Sequence, residues 1–364
     1  MKKALLLLAS VAAVAACSKT EVTPVTAEDT EITYNVAPKV KALANNQKEF
    51  NHKWTFKSTA LYLPAVDPND TNDPKKDQTW DSHTATPSTY IDAAEISYTK
   101  TNATDSVWKA AKTYYWPKTG SLTFFAWTAP TYAPATGKYT NANITGVTVD
   151  ATNGVKIASH DVATNKNYDI LVADIMKDQR KNNTTPQYVT TGVPTLFRHK
   201  LSQVRFTAKT AQDYGTDITF KINSIKFKGI DSKGVYVQLA TEGWTTSEPE
   251  DQTYTSTATT VTSTAADITG DQVFYMPQKF DNDGTTTDAF VVNYTISIKN
   301  GTNTTSETID YTVSLNSATA AKVVFDEWKM GYIYTINLTL GLNEILWDPA
   351  VEDWETAGQD ITIQ

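Results

Sequence analysis

Side chains able to do chemistry are few in this sequence, and they are scattered. His199 stands in Leu196-Phe197-Arg198-His199-Lys200-Leu201-Ser202. As a general base it would need a nucleophile and an orienting acid beside it, yet no G-x-S-x-G turn surrounds any Ser. The simpler expectation is a histidine at a strand start, hydrogen-bonded within a domain junction. Asp67, Asn69, Asp70 and Asp73 offer oxygen atoms of the kind calcium takes. The Gly and distal Glu of an EF-hand loop are missing there, so solvated turn acids are expected, and Asp281-Asn282-Asp283-Gly284 is a turn signal by the same logic. Paired carboxylates for glycoside hydrolysis have no fixed spacing along a chain, and no motif singles out a pair. The chain's 9 Trp could stack on sugar rings, but core packing is the commoner use of such rings. We expect no catalytic residue, no metal site and no cofactor: the chain does not read as an enzyme.

Composition supports that reading. One Cys and 4 His provide no disulfide framework, no iron–sulfur cluster and no Cys-ligated zinc site. The net charge is −8, and only three of the 32 basic residues (Arg180, Arg198 and Arg205) are Arg. A nucleic-acid partner is therefore not expected, because such proteins need a basic footprint to displace counterions.

The single Cys has a distinctive setting. Lys2 and Lys3 precede an apolar run from Ala4 to Leu8, and small residues lead to Val14-Ala15-Ala16-Cys17. The run is too short to span a bilayer of ~30 Å and reads as a signal peptide over residues 1–16. The Cys after small residues resembles the bacterial lipoprotein box, which implies a lipid on Cys17. Losing Lys2 and Lys3 would make the chain still more acidic. Membrane attachment would then rest on lipid and not on a basic patch.

The elements that must carry these residues read as strands. Thr makes up about 60 of the 364 residues, beside 18 Tyr and 12 Phe, and branched and aromatic side chains suit a pleated, half-buried surface. Period-two alternation recurs: Tyr332, Tyr334, Ile336, Leu338 and Leu340 share one face, and so do Phe290, Val292, Tyr294, Ile296 and Ile298. Asn300-Gly301 then permits a reversal, and Ile309, Tyr311, Val313 and Leu315 return. Residues 290–315 therefore read as a hairpin with a loop somewhat longer than two residues. Ile218, Phe220 and Ile222, then Val235, Val237 and Leu239, predict two further strands. Segments 67–77 and 253–264 read as surface loops.

The most loop-like interior stretch, residues 178–195, predicts a domain boundary near 190. The expected organisation is all-β: a 17–50 amino-terminal segment, a 51–190 β-sandwich and a 191–364 β-sandwich. Ile32, Tyr34 and Val36 alternate as the buried face of a strand that Pro38 stops. Lys39, Lys41 and Lys48 follow in what should be an accessible loop. At the far end, Ile361 and Ile363 share one face of a short tail.

Three stretches resemble the fimbrillin family of Bacteroidota, the Mfa-like and FimA-like pilin precursors. One is Tyr114-Tyr115-Trp116-Pro117 with Leu122-Thr123-Phe124-Phe125-Ala126-Trp127. Another is Leu196 through Val204, containing His199-Lys200-Leu201-Ser202. The last is Tyr332 through Leu340 with Ile345 and Val351-Glu352-Asp353-Trp354. The resemblance implies two tandem β-sandwiches of transthyretin-like topology, exported as a lipoprotein to the outer membrane and cell surface. It also implies assembly with other fimbrial subunits, in which a protease removes the amino-terminal strand and a neighbour's strand fills the groove. On that reading Ile32, Tyr34 and Val36 mark the removable strand, Lys39, Lys41 and Lys48 the processing sites, and Ile361 and Ile363 the donor strand. The best-known members are cut after Arg, whereas the first Arg here is Arg180, so a Lys-directed cut or an unprocessed anchor or accessory subunit is implied. The alternative function is a surface lipoprotein that binds glycans beside a transporter. Polymerisation separates the two.

Overall fold

The computed structural model describes residues 30–36, 50–65, 78–100, 106–141, 144–181, 192–280, 288–315, 326–342 and 345–353. Strands joined by turns account for its regular structure, and the described residues contain no helix. Cys17, Lys39, Lys41, Lys48, Ile361, Ile363 and the acids at 67–73 and 281–283 lie outside the described residues.

The first sheet has nine strands. Its order runs Val193–Thr195, Tyr34–Val36, Ser106–Ala110, Ser88–Lys100, Thr55–Leu63, Ser121–Thr128, Leu171–Ala173 and Phe197–His199, with Met176–Gln179 branching onto Ser121–Thr128. The two end strands are separated along the chain by Leu196 alone. The sheet must therefore fold over until its ends adjoin, enclosing a core between two layers. Ser121–Thr128 lies in its interior, buried at all eight positions. Both of its faces are covered, and its three hydroxyl-bearing residues, Ser121, Thr123 and Thr128, are buried with the apolar ones.

The second core lies between two further sheets. One has Ser202–Thr210 parallel to Tyr332–Leu340, flanked by Ala266–Ile268 and Ile345–Asp353. The other pairs Asn303–Ser314, Ala289–Asn300 and Ile218–Val237. Phe206, Phe220, Phe227, Phe290, Tyr275 and Trp328 fill the space between them. Trp54, Trp80, Trp108, Trp127 and Trp328 are all buried in core clusters, which is the packing use of those rings.

Some sequence expectations need correction. The 290–315 hairpin turns through two residues, Gly301 and Thr302, because Asn300 already faces Asn303. Residues 303–308 are polar but rich in Thr and Ser, which suit an exposed strand, so pairing runs to the tip. Residues 218–237 form one strand of 20 residues and not two. Its register slips between Phe227 and Ile230, where Gly229 takes a φ of +70°. A bulge of this kind bends a strand without ending it. Segment 253–264 is also not simply a loop: it contains the end of Gly243–Thr255 and the strand Thr259–Val261.

The long strand also links the two halves. Before the bulge it places Phe220, Ile222 and Phe227 in the second core; beyond it, Tyr236 enters the first. There it pairs with Gly154–Asp161. The strands at 193–199, just past the expected boundary near 190, belong to the first sheet.

Candidate functional site

The segment expected to be removable, residues 30–36, does not lie at an edge. Tyr34–Val36 runs parallel to Val193–Thr195 on one side, and Tyr34 faces Trp108 of Ser106–Ala110 on the other. Ile32 N–H donates to the Tyr114 carbonyl at 2.7 Å, Trp116 N–H to the Thr30 carbonyl at 3.1 Å, and Val193 N–H to the Thr33 carbonyl at 2.8 Å. Alternation puts Ile32, Tyr34 and Val36 on the inward face, where they are 3%, 3% and 8% exposed. Full burial of side chains like these stabilises by roughly 1.5–3 kcal/mol each. The flanking Lys109–Glu31 pair at 3.2 Å is about one-third exposed on both sides, and pairs of that kind are worth up to about 1 kcal/mol. Apolar burial, not charge, holds the segment.

Tyr34 is the central plug. Its ring stands edge-on to Phe56 at 5.6 Å and to Phe124 at 5.9 Å. Its hydroxyl is buried beside Ser58, and burial pushes the phenol well above its ordinary range, with Ser58 opposing. Phe50, where the described chain resumes after Val36, enters the same core. It stacks on Phe197 at 4.9 Å and meets Trp54, Phe56 and Trp108 edge-on. Val36 and Phe50 thus belong to one apolar core.

The sheet pairing sets Leu171 opposite His199, which brings the His199 side chain to Asp169. Nδ1 of His199 lies 2.7 Å from Asp169, with the two side chains 1% and 0% exposed. Burial raises the Asp169 carboxyl, and the neighbouring imidazole pulls it back down. A pair so enclosed is out of a substrate's reach; it lies within the first sheet, beside the pairing of Phe197–His199 with Leu171–Ala173. Around it, Arg198 meets Asp174 at 3.2 Å and Lys200 meets Glu242 at 2.7 Å. Asp169 itself escaped the sequence reading, because only strand pairing brings it to His199. Among the described residues no group of three or more His, Cys, Asp or Glu is placed to hold a metal. No helix among them is long and apolar enough to cross a membrane.

Fold and site together define a class: an all-β sandwich protein with a short amino-terminal strand paired on both sides inside its first sheet. The chain belongs to the fimbrillin-like family, whose model matches residues 65–354. Membership ties it to fimbriae, to cell adhesion and to the cell surface. Its fold is similar to that of a fimbrial protein from Bacteroides vulgatus, with 18% identity, a TM-score of 0.60, and 89% of this chain and 99% of that chain covered. A candidate cell adhesion protein from Bacteroides uniformis shares 14% identity at a TM-score of 0.48, over 89% of this chain and 98% of that one. No curated protein matches the sequence.

Proposed function

We propose that this protein is a fimbrial subunit or accessory pilin that assembles by strand replacement. The observation that carries the reading is the interior position of residues 30–36. A strand paired on both sides, with three buried apolar side chains, leaves on departure both unpaired backbone and an apolar trough. Such a gap is a template that another chain's strand can complete. Lys39, Lys41 and Lys48 follow the strand directly, so a Lys-directed cut would free it from Phe50 onward. The donor on this reading is the Ile361–Ile363 tail or an equivalent strand of a related subunit. Cys17 acylation would hold the precursor, or an uncut anchor form, at the outer membrane.

The test is to cut purified precursor with a Lys-specific protease and follow it by sizing and electron microscopy. Polymers that shorten when residues 359–364 are deleted are the expected result. A chain severed between Val36 and Phe50 that stays monomeric, with and without its tail, overturns the strand-replacement reading.

A further inference from the structure

A cavity of about 150 Å³ lies where the two halves meet. Its cause is a mismatch in one ladder. Gln203 faces Phe274 and Phe206 faces Ile268, so Val204 and Arg205 on one side stand opposite the longer run from Thr269 to Val273. The surplus bulges, and a bulge re-aims the side chains beside it. The Tyr254 phenol props the gap open: it accepts from the Phe206 N–H at 3.2 Å and donates to the Ile268 carbonyl at 2.7 Å. Tyr132, a member of the first core, walls the cavity from the other half. The polar groups deep in this cavity are donors short of acceptors. Gln203 is fully buried, and its Oε1 accepts from Arg205 Nη2 at 3.1 Å. A guanidinium can only donate, so Oε1 must be the atom that faces it. Nε2 is then left buried with no acceptor among the described residues. Arg205 is half-buried, and among the described residues it takes part in no ion pair. An amide donor and a cation side by side lack one thing, an anionic acceptor.

We propose that this cavity binds a hexuronic acid, either the free sugar or the end residue of a glycan. Its carboxylate meets the Arg205 fork and the Gln203 amide, because a planar guanidinium matches the two oxygens of a carboxylate. Asp267 and Thr269 are exposed at the mouth, where they accept from the ring hydroxyls. The Tyr132 and Tyr254 rings offer apolar surface to the ring carbons. At ~30 Å³ per water the cavity has room for roughly five waters, or for one sugar ring and no longer chain. A bare anion leaves the rings unused and is repelled by the Asp267 carboxylate at the mouth. A hydroxylated one brings donors that Asp267 can accept. The proposal stands apart from strand replacement, since the cavity involves neither residues 30–36 nor the tail.

The experiment is calorimetric titration of the uncut full chain with glucuronate, glucose, acetate, inorganic phosphate and a disaccharide that ends in glucuronate. Glucuronate is expected to bind about tenfold more tightly than glucose, which lacks the charged group for Arg205. Acetate and phosphate are expected to bind more weakly than glucuronate. Arg205→Lys keeps the charge and loses the fork; Gln203→Leu removes the amide and leaves a side chain of similar size. Each should weaken glucuronate about tenfold, with the circular dichroism spectrum of the free chain unchanged. A disaccharide that binds as tightly as glucuronate assigns the site to glycan ends, and binding of the monosaccharide alone assigns it to the free sugar. Acetate or phosphate binding as tightly as glucuronate makes this an anion site without sugar recognition and overturns the proposal. So does glucose binding equally well, glucuronate binding that both variants leave untouched, or no binding at all.

Discussion

Gly192 lies flush against Thr33: a Cβ at 192 would come within 2.7 Å of the Thr33 carbonyl carbon and oxygen. Its φ of +92° is also one that side-chain-bearing residues rarely adopt. The residue opening the 193–195 strand must be glycine if residues 30–36 are to dock beside it. Gly192→Val should cost roughly 1–3 kcal/mol from backbone strain, with the clash in addition. The loss should be local. Amide exchange should accelerate at Ile32 and Val193 well before it does in Ile218–Val237, and uniform acceleration would show that residues 30–36 are not a separable element.

His199→Ala removes the partner of a fully buried carboxylate. Asp169 already has its carboxyl raised by burial, with His199 pulling it down, so losing the imidazole pushes the acid further toward its neutral form. A stability loss on the order of 1–3 kcal/mol is expected, seen as a lower melting temperature. Asp169→Asn, which keeps an oxygen for the ring, should cost less. A variant that melts like the parent would show that the buried pair does not stabilise the first sheet.

His160 carries a pH dependence of its own. It is buried near the Trp244 ring, at 6.0 Å between ring centroids. Burial lowers its pKa to about 4, with Asp161 opposing. The folded pKa lies below the unfolded one, so between about pH 6.5 and 4 the unfolded chain binds the extra proton. Stability is therefore full above pH 6.5 and falls as the solution is acidified through that window, by about 3 kcal/mol at its lower end. His160→Gln should flatten that limb of the curve of melting temperature against pH. An acid limb as steep in His160→Gln as in the parent assigns the sensitivity elsewhere.

What local pattern could reveal depended on whether a strand's partner was near in the chain. Phe290 opposite Val313, Val292 opposite Tyr311 and Tyr294 opposite Ile309 follow from two alternating runs joined by Asn-Gly. The buried positions of Tyr332–Leu340 follow from alternation alone, and Ile32, Tyr34 and Val36 were legible as an inward face. Their place between Ser106–Ala110 and Val193–Thr195 was not, since parallel pairing to a distant segment leaves no mark in either sequence. The same limit hid Asp169 from His199. Residues 218–237 were misread for a different reason. The polar stretch around Gly229 looks like a turn, and only the sheet around it shows that Gly229 bends a strand.

That bend leads to the last prediction. Phe220, Ile222 and Phe227 lie in one core and Tyr236 in the other, so a single backbone ladder crosses from half to half. Tyr236 is anchored at its far side, where its hydroxyl donates to Glu242 and Glu242 also pairs with Lys200 at 2.7 Å. One half cannot unfold without pulling this strand from the other, so thermal unfolding should be a single transition despite two cores. Gly229→Val places a β-branched side chain at a φ of +70°, where strain alone is roughly 1–3 kcal/mol. It should straighten or break the strand at the crossing. The expected outcome is a calorimetric trace that broadens or splits in Gly229→Val while the parent stays single. Two resolved transitions in the parent would mean that the halves unfold independently and that the shared strand does not couple them.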